Sequence, residues 1–344
     1  MIGSLRVILH STDNSLKGKS MKKIVIYILL SICFSGFSQE LHLPVFTQYL
    51  ADNNFVLSPT FAGIGDNLRL RANGLTQWVG IKDAPKNQSL YADFRLANRS
   101  GIGISLYNDS NGNTFQTGAK FSFAHHIILD YYSKQYLSFG LSYNINSFKI
   151  DISKFNTTYE IPVIDPSITD NRSISNNNFD VGLLYRNKGF YVSFNAANIL
   201  PKTKDNYLGI EPSLVLNYQL YSGYVIKNSY NRNVEIEPSV YYQFFAGDKR
   251  STTDFNLKYR HYNSYDDYYW TGVSYRFLND QPFKSLTVGP MAGFKKANFY
   301  FGYSYQVTLN QIGAYNSGTH MVTLGFDFLQ GVSDCPCTQS PVHD

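Results

Sequence analysis

In QYLSFGLSYNIN, residues 135–146, Leu137, Phe139, Leu141, Tyr143 and Ile145 fall on one face of an extended chain, and Ser138, Gly140, Ser142, Asn144 and Asn146 on the other. A period of two is that of a β-strand with one apolar face. The arrangement recurs in residues 298–309, where Phe299, Phe301, Tyr303, Tyr305, Val307 and Leu309 alternate with more polar neighbours, and again from Phe179 to Tyr185. Residues 68–77, 88–96, 101–109, 115–127, 189–198, 212–223, 234–245, 252–260, 268–277, 285–294 and 319–328 follow it with more noise. The total is about 14, and an even count suits a closed bacterial barrel. A soluble β-sandwich also alternates, but its strands average about 5–6 residues. The segments here run about 9–12, the length at which a tilted strand crosses a bilayer. The expected fold is all-β: an antiparallel transmembrane outer-membrane β-barrel with an irregular N-terminal segment.

The connections are of two kinds. Short turns, Asn187-Lys188-Gly189 and Lys295-Lys296-Ala297, suit the periplasmic side, and the long polar stretches 147–176 and 261–267 suit the cell exterior. Residues 40–67 do not alternate, which leaves them to plug the lumen or lie in the periplasm. The face assigned to the lumen carries Arg69, Arg71, Asp93, Arg95, Lys120, Asp180, Arg186, Glu235, Glu237, Asp254, Lys258, Arg260, Arg276 and Asp327. Charges of both signs suit a wide diffusion pore and equally a barrel filled by paired side chains and an inserted segment; composition does not decide between them, and the filled barrel is the preferred reading.

Composition adds one question: 28 Tyr and 25 Phe exceed what a core needs. Their clustering near segment ends, at Tyr131 and Tyr132, Tyr241 and Tyr242, and Tyr268 to Trp270, points to interfacial girdles. A net charge of +5 without a basic run argues against a nucleic-acid partner. From Met21 the chain reads MKKIVIYILLSICFSGFSQ, a secretory signal peptide over 21–38 with cleavage after Ser38; residues 1–20 read as an over-called start. Its apolar run of about 11 residues falls short of the ~20 a membrane helix needs. The organisation that follows is an N-terminal periplasmic or plug segment over 39–67, a barrel over 68–329 and a tail over 330–344. Beyond the signal, only Cys335 and Cys337 remain, so no disulfide scaffold is expected.

Motifs for chemistry are sparse. Asp109-Ser-Asn111-Gly-Asn113 opens like a calcium loop, but Lys120 stands where the bidentate Glu belongs, and a strand-to-strand turn is the better account. His125 and His126, adjacent on a strand, point to opposite faces and cannot share a metal. Cys335-Pro-Cys337 reads as an inert tail, with a redox, partner-linking or metal role as the alternative. G-x-S-x-G, H-E-x-x-H and phosphate-loop motifs do not occur. His261 with Asp266 and Asp267 is the one polar cluster worth testing for hydrolysis. Neither an enzyme, a cofactor nor a small-molecule substrate is expected.

Phe46-Thr-Gln48-Tyr49, Asn54, Ser58-Pro59 and Ala62-Gly63, then Gln77-Trp78-Val79-Gly80 and Ala84-Pro85, resemble the PorP/SprF family of the Bacteroidota type IX secretion system. Gly103, Asn108-Asp109, Gly318-Thr-His320 and Gly325-Phe326-Asp327-Phe328 extend the likeness to about residue 328. Leu57-Ser58-Pro59-Thr60-Phe61 departs from the family's usual N-P-A-Y form, and the C-P-C tail has no counterpart in its pattern. The resemblance implies an outer-membrane barrel that supports secretion or surface attachment of a large protein such as a gliding adhesin. Its implied partners are the adhesin's C-terminal domain, other type IX components and membrane lipid. Gln48, Tyr49, Pro59, Gly63, Gln77, Trp78, Gly80, Pro85, Asn108 and Asp109 are the motif positions, structural or partner-binding. The long insertion 147–176, with Asn156, Tyr159, Asp165 and Asn171, is the preferred partner contact, a passive loop being the alternative. A diffusion porin or substrate-specific channel is the competing function.

Overall fold

Alternation underlies the long strands of the described residues. The structure, a computed structural model, describes residues 47–65, 67–151, 172–201, 216–227, 233–247, 249–263, 267–280, 284–329 and 335–338. The signal segment 21–38, the leading residues 1–20, the loop positions Asn156, Tyr159, Asp165 and Asn171, and Asp266 lie outside them.

The strands are β1 (Asn67–Thr76), β2 (Lys86–Ala97), β3 (Ser100–Asn111), β4 (Thr114–Asp130), β5 (Gln135–Ile150), β6 (Arg172–Asn187), β7 (Phe190–Ala197) and β8 (Asn217–Tyr224). They continue with β9 (Ile226–Lys227), β10 (Val234–Phe245), β11 (Ser251–Tyr262), β12 (Tyr268–Leu278), β13 (Lys284–Lys296), β14 (Phe299–Thr308) and β15 (Thr319–Leu329). Consecutive strands pair antiparallel except β8 and β9, and β1 pairs with β15, Arg71 opposite Gly325, which closes the ring. β8 and β9 both pair with β10 and form one stave broken at Val225, so the ring has 14 staves. One stave corresponds to each of the alternating segments read from the sequence. Closure leaves the ring without a free edge strand among the described residues, the condition for a strand structure to span a bilayer. Among the described residues no helix is long and apolar enough to cross a membrane.

The outward face presents Leu90, Phe121, Phe139, Leu141, Leu183, Phe255 and Leu324, all exposed. A continuous apolar surface of this kind is at its most stable against lipid chains. The charged positions assigned to the lumen turn inward. Asp180 and Asp254 are fully buried, and Arg69 and Lys120 are the most open of the set, at 21% and 30% of their side chains.

Three expectations are corrected. First, 147–176 is not all loop: β5 runs to Ile150 and β6 starts at Arg172. Beyond the apolar band the outward positions Ser147, Lys149, Ser173 and Ser175 become polar, so the alternation that marks a membrane strand fades while the pairing continues. Second, the β11–β12 connection, assigned to the exterior with 261–267, lies at the same end as the turns 188–189 and 297–298. Strand direction reverses at every stave, and parity fixes the end whatever a loop's polarity. The two-residue turns 98–99, 188–189 and 297–298 and both flanks of the β1–β15 seam share this end, the periplasmic one in bacterial barrels. Third, Tyr241 and Trp270 are not girdle residues: both face inward and are buried, as Tyr268 largely is. Tyr131, Tyr132 and Tyr269 do stand exposed. The aromatic surplus therefore divides between membrane rim and lumen.

Candidate functional site

Residues 47–65 occupy the barrel interior as three short 3-10 turns, Thr47–Leu50, Asn54–Val56 and Pro59–Phe61. Pro59 supplies a fixed φ at the first helical position, and the Ser58 hydroxyl accepts from the Thr60 N–H at 3.3 Å. Tyr49, Leu50, Phe55, Leu57, Phe61 and Ile64 are buried against wall residues that include Leu184, Tyr221, Tyr241 and Trp270. The segment crosses the lumen from the β11–β12 wall to the β3–β6 wall, and each side holds it differently.

The first side is ionic. Asp52 receives Lys258 Nζ at 2.5 Å, Arg260 at 2.9 Å and the Tyr268 hydroxyl at 2.7 Å. Lys258 also donates to the Leu50 carbonyl at 2.8 Å and sits 4.5 Å from the Trp270 ring centre. Arg260 completes the cluster with Glu235 at 2.9 Å. Burial acts to raise the Asp52 pKa, but the Lys258 and Arg260 charges together outweigh it and hold the carboxyl well below the usual range. The Tyr49 hydroxyl donates to Asp254 at 3.0 Å and accepts from Asn256 at 3.0 Å, while Arg276 grips Asp254 through two bonds of 2.6 and 2.7 Å. Burial first, and the Asp254 charge second, keep the Tyr49 phenol protonated as that donor.

The second side is steric. Gly101, Ala124, Gly140 and Gly182 stand at one level on four adjacent strands, β3 to β6, all facing inward. This bare strip lets backbone approach backbone. A Cβ on Gly140 would lie 2.6 Å from the Thr60 nitrogen, and one on Gly101 would lie 2.2 Å from the Ala62 carbonyl oxygen. Gly103 leaves room in the same way for the Phe55 ring. Gly63, at φ +73°, turns the chain here and donates its N–H to Asp93 at 3.0 Å, beside the Arg69–Asp93 pair at 2.7 Å. His126 is buried between Ser138 Oγ at 2.8 Å and the Ala62 carbonyl at 3.0 Å, while His125 faces outward against Ser100.

Residues 335–338 meet the segment at the periplasmic end. The Gly65 N–H donates to the Thr338 carbonyl at 2.6 Å, Arg95 donates to the same oxygen at 3.1 Å, and Arg186 donates to the Cys337 carbonyl. Cys337 and Thr338 are fully buried, and Cys335 and Cys337 are joined as a disulfide. This part of the tail is an integral piece of the lumen.

The motif positions thus fall into three groups. Gln48, Tyr49, Pro59 and Gly63 belong to the lumenal segment, Gln48 reaching Asn87 at 3.4 Å. Gln77, Trp78, Gly80 and Pro85 form the outer β1–β2 connection, closed by Gln77 N–H to the Pro85 carbonyl at 2.9 Å. Gly80 has φ +104° and Trp78 φ 45°. Val79 clasps the β14–β15 loop through bonds of 3.0 Å to Gly318 and 2.7 Å from Ser317, and Asp83 accepts from Gly112 of the β3–β4 turn at 3.1 Å. Asn108 is exposed at the outer end of β3, donating to Gln88 at 3.4 Å, and Asp109 beside it turns inward and is buried. The Asp109–Asn113 stretch is the end of β3 and a turn through Gly112 into β4. His261 stacks on Tyr269 with ring centres 4.9 Å apart. Sequence alone puts Lys258 and Arg260 on the lumenal face, but Asp52 as their partner and the glycine strip escape it; the one available sign is inward-facing glycines on consecutive strands.

The model of the type IX secretion system membrane protein PorP/SprF family matches residues 38–326. The chain belongs to the PorP/SprF family. Its place is accordingly the outer membrane, as a component of the type IX secretion system. No curated protein sequence matches it. Solved structures similar to it include the CymD monoaromatic hydrocarbon channel (11% identity, 85% of this chain and 95% of that one, TM-score 0.47). The KdgM porin is another (10%, 76% and 99%, TM-score 0.39), as is outer membrane phospholipase A from Escherichia coli (13%, 78% and 91%, TM-score 0.35).

Proposed function

We propose that this PorP/SprF barrel is a non-enzymatic support for the secretion or surface attachment of a large partner, such as a gliding adhesin held by its C-terminal domain, alongside other type IX components. The observation that carries the reading is the occupied lumen. A diffusion channel needs a continuous aqueous path, whereas here residues 47–65 cross the interior and are fixed at one wall by buried charge and at the other by close backbone packing. The braced outer connection 77–85 and the long insertion between β5 and β6, with Asn156, Tyr159, Asp165 and Asn171, are the surfaces proposed to meet the partner.

Two measurements test this. In planar bilayers the intact barrel stays electrically quiet, and removal of residues 47–65 produces steady conductance; a stable pore from the intact chain would favour a channel. Deleting 152–171 leaves the barrel in the outer membrane and abolishes surface retention of the partner, identified as the protein that copurifies with the intact barrel. Unchanged retention would remove the insertion from the contact.

A further inference from the structure

The C-terminal turn is placed as a bolt across the periplasmic mouth. Its Cys335 carbonyl accepts from both the N–H and the hydroxyl of Thr338, at 3.1 and 3.0 Å, so residues 335–338 are folded back on themselves. The Cys335–Cys337 bridge closes the same turn covalently. In that conformation the consecutive carbonyls of Cys337 and Thr338 reach two different wall arginines, Arg186 on β6 and Arg95 on β2. Arg95 also donates to the Gly65 carbonyl at 2.8 Å, and the Gly65 N–H returns to Thr338, so tail, wall and lumenal segment form one closed circuit of bonds. A rigid turn presents both carbonyls at once; an open one must lose conformational freedom to do so.

We propose that Cys335–Cys337 is a thiol–disulfide exchange site, and that its oxidation state sets whether residues 335–338 bolt the lumenal segment in place. The two sulfurs are unequal. Cys337 is fully buried, while Cys335 is half-buried at the mouth and is the one an incoming thiolate can reach. The co-reactant is a periplasmic dithiol of the thiol–disulfide oxidoreductase class. Its thiolate attacks Cys335 Sγ, forming a mixed disulfide and expelling Cys337 Sγ as thiolate on the residue whose carbonyl Arg186 holds. The donor's second thiolate then attacks its own sulfur in the mixed disulfide and releases Cys335 as thiolate. The bridge gains two electrons, the donor leaves as a disulfide, and its two protons end on Cys335 and Cys337. The reduced turn opens, Arg186 and Arg95 lose their common acceptor strand, and the Gly65 N–H is uncovered.

The test uses the full chain isolated from outer membranes without reductant and placed in lipid nanodiscs. Intact mass measures whether the protein is lighter by two hydrogens than its reduced form. Amide hydrogen exchange then compares oxidised protein, protein reduced with a phosphine, and the Cys335→Ser/Cys337→Ser double variant. The expected result is a bridged protein in which reduction speeds exchange at Cys337, Thr338 and Gly65 by about tenfold or more, with the strands unchanged. The double variant reproduces the fast exchange without reductant; should it fail to assemble, reduction of the native chain decides alone. Free thiols in the isolated protein, or equal protection with and without the bridge, would overturn the proposal.

Discussion

Asp52 is the residue on which the lumenal segment turns. It lies beside Lys258, Arg260 and Tyr268 with little solvent, and breaking a buried pair strands charge in a low dielectric. Lys258→Met leaves Asp52 with Arg260 and Tyr268 and should therefore weaken docking of residues 47–56 by about 1.5–3 kcal/mol, read as faster amide exchange there with the wall unaffected. The pH dependence has a definite sign. The carboxyl titrates well below its unfolded value, so its contribution is fully present above about pH 4 and is lost as pH falls through the depressed folded value. Docking measured by exchange should stay constant from neutral pH down to about pH 5 and weaken only in stronger acid. In Asp52→Asn that acid dependence disappears, and its persistence there would assign it to another group.

At the scale of elements, the seat is as important as the latch. Gly140 has an ordinary strand conformation, so Val suits the backbone of β5, but its side chain would collide with Pro59 and Thr60. Gly140→Val should leave the barrel assembled and displace the segment at a cost of about 1–3 kcal/mol, visible as new conductance. Strands were legible because a membrane wall forces one apolar face: 135–146 predicts β5, and 298–309 predicts β14. The lumenal segment was legible only as an absence of alternation, since 3-10 turns packed on all sides carry no period. Tyr241 and Trp270 show the limit in a different form. An inward aromatic at mid-strand and an interfacial one look alike in sequence, and only a contact such as Tyr49 against Tyr241, 5.3 Å between ring centres, separates them. The partners of Asp52 lie about two hundred positions away along the chain, beyond the reach of any local pattern.

For the whole molecule, the two faces of the wall obey opposite rules, and depth decides the penalty. Leu141, outward between Phe123 and Val181, lies within the apolar band. Leu141→Arg should cost about 2–4 kcal/mol of refolding free energy in bilayers titrated with guanidinium, whereas Ser175→Arg, outward on the polar extension of β6, should cost about 0–1. Equal costs at the two positions would mean that the membrane band has been misplaced.

The β1–β15 seam is the one place in the ring where neighbouring staves share no connecting turn. Under sideways tension a cylinder parts first at such a joint. Here the chain leading into the seam and the chain leaving it are tied together inside, Gly65 to Thr338, and the joint itself carries Arg71–Asp327 at 2.5 Å and Thr323–Asn73 at 2.6 Å. Load drawn onto the wall from outside is thereby shared by an inner brace, and the stave pair least restrained by covalent structure becomes a mechanically reinforced one.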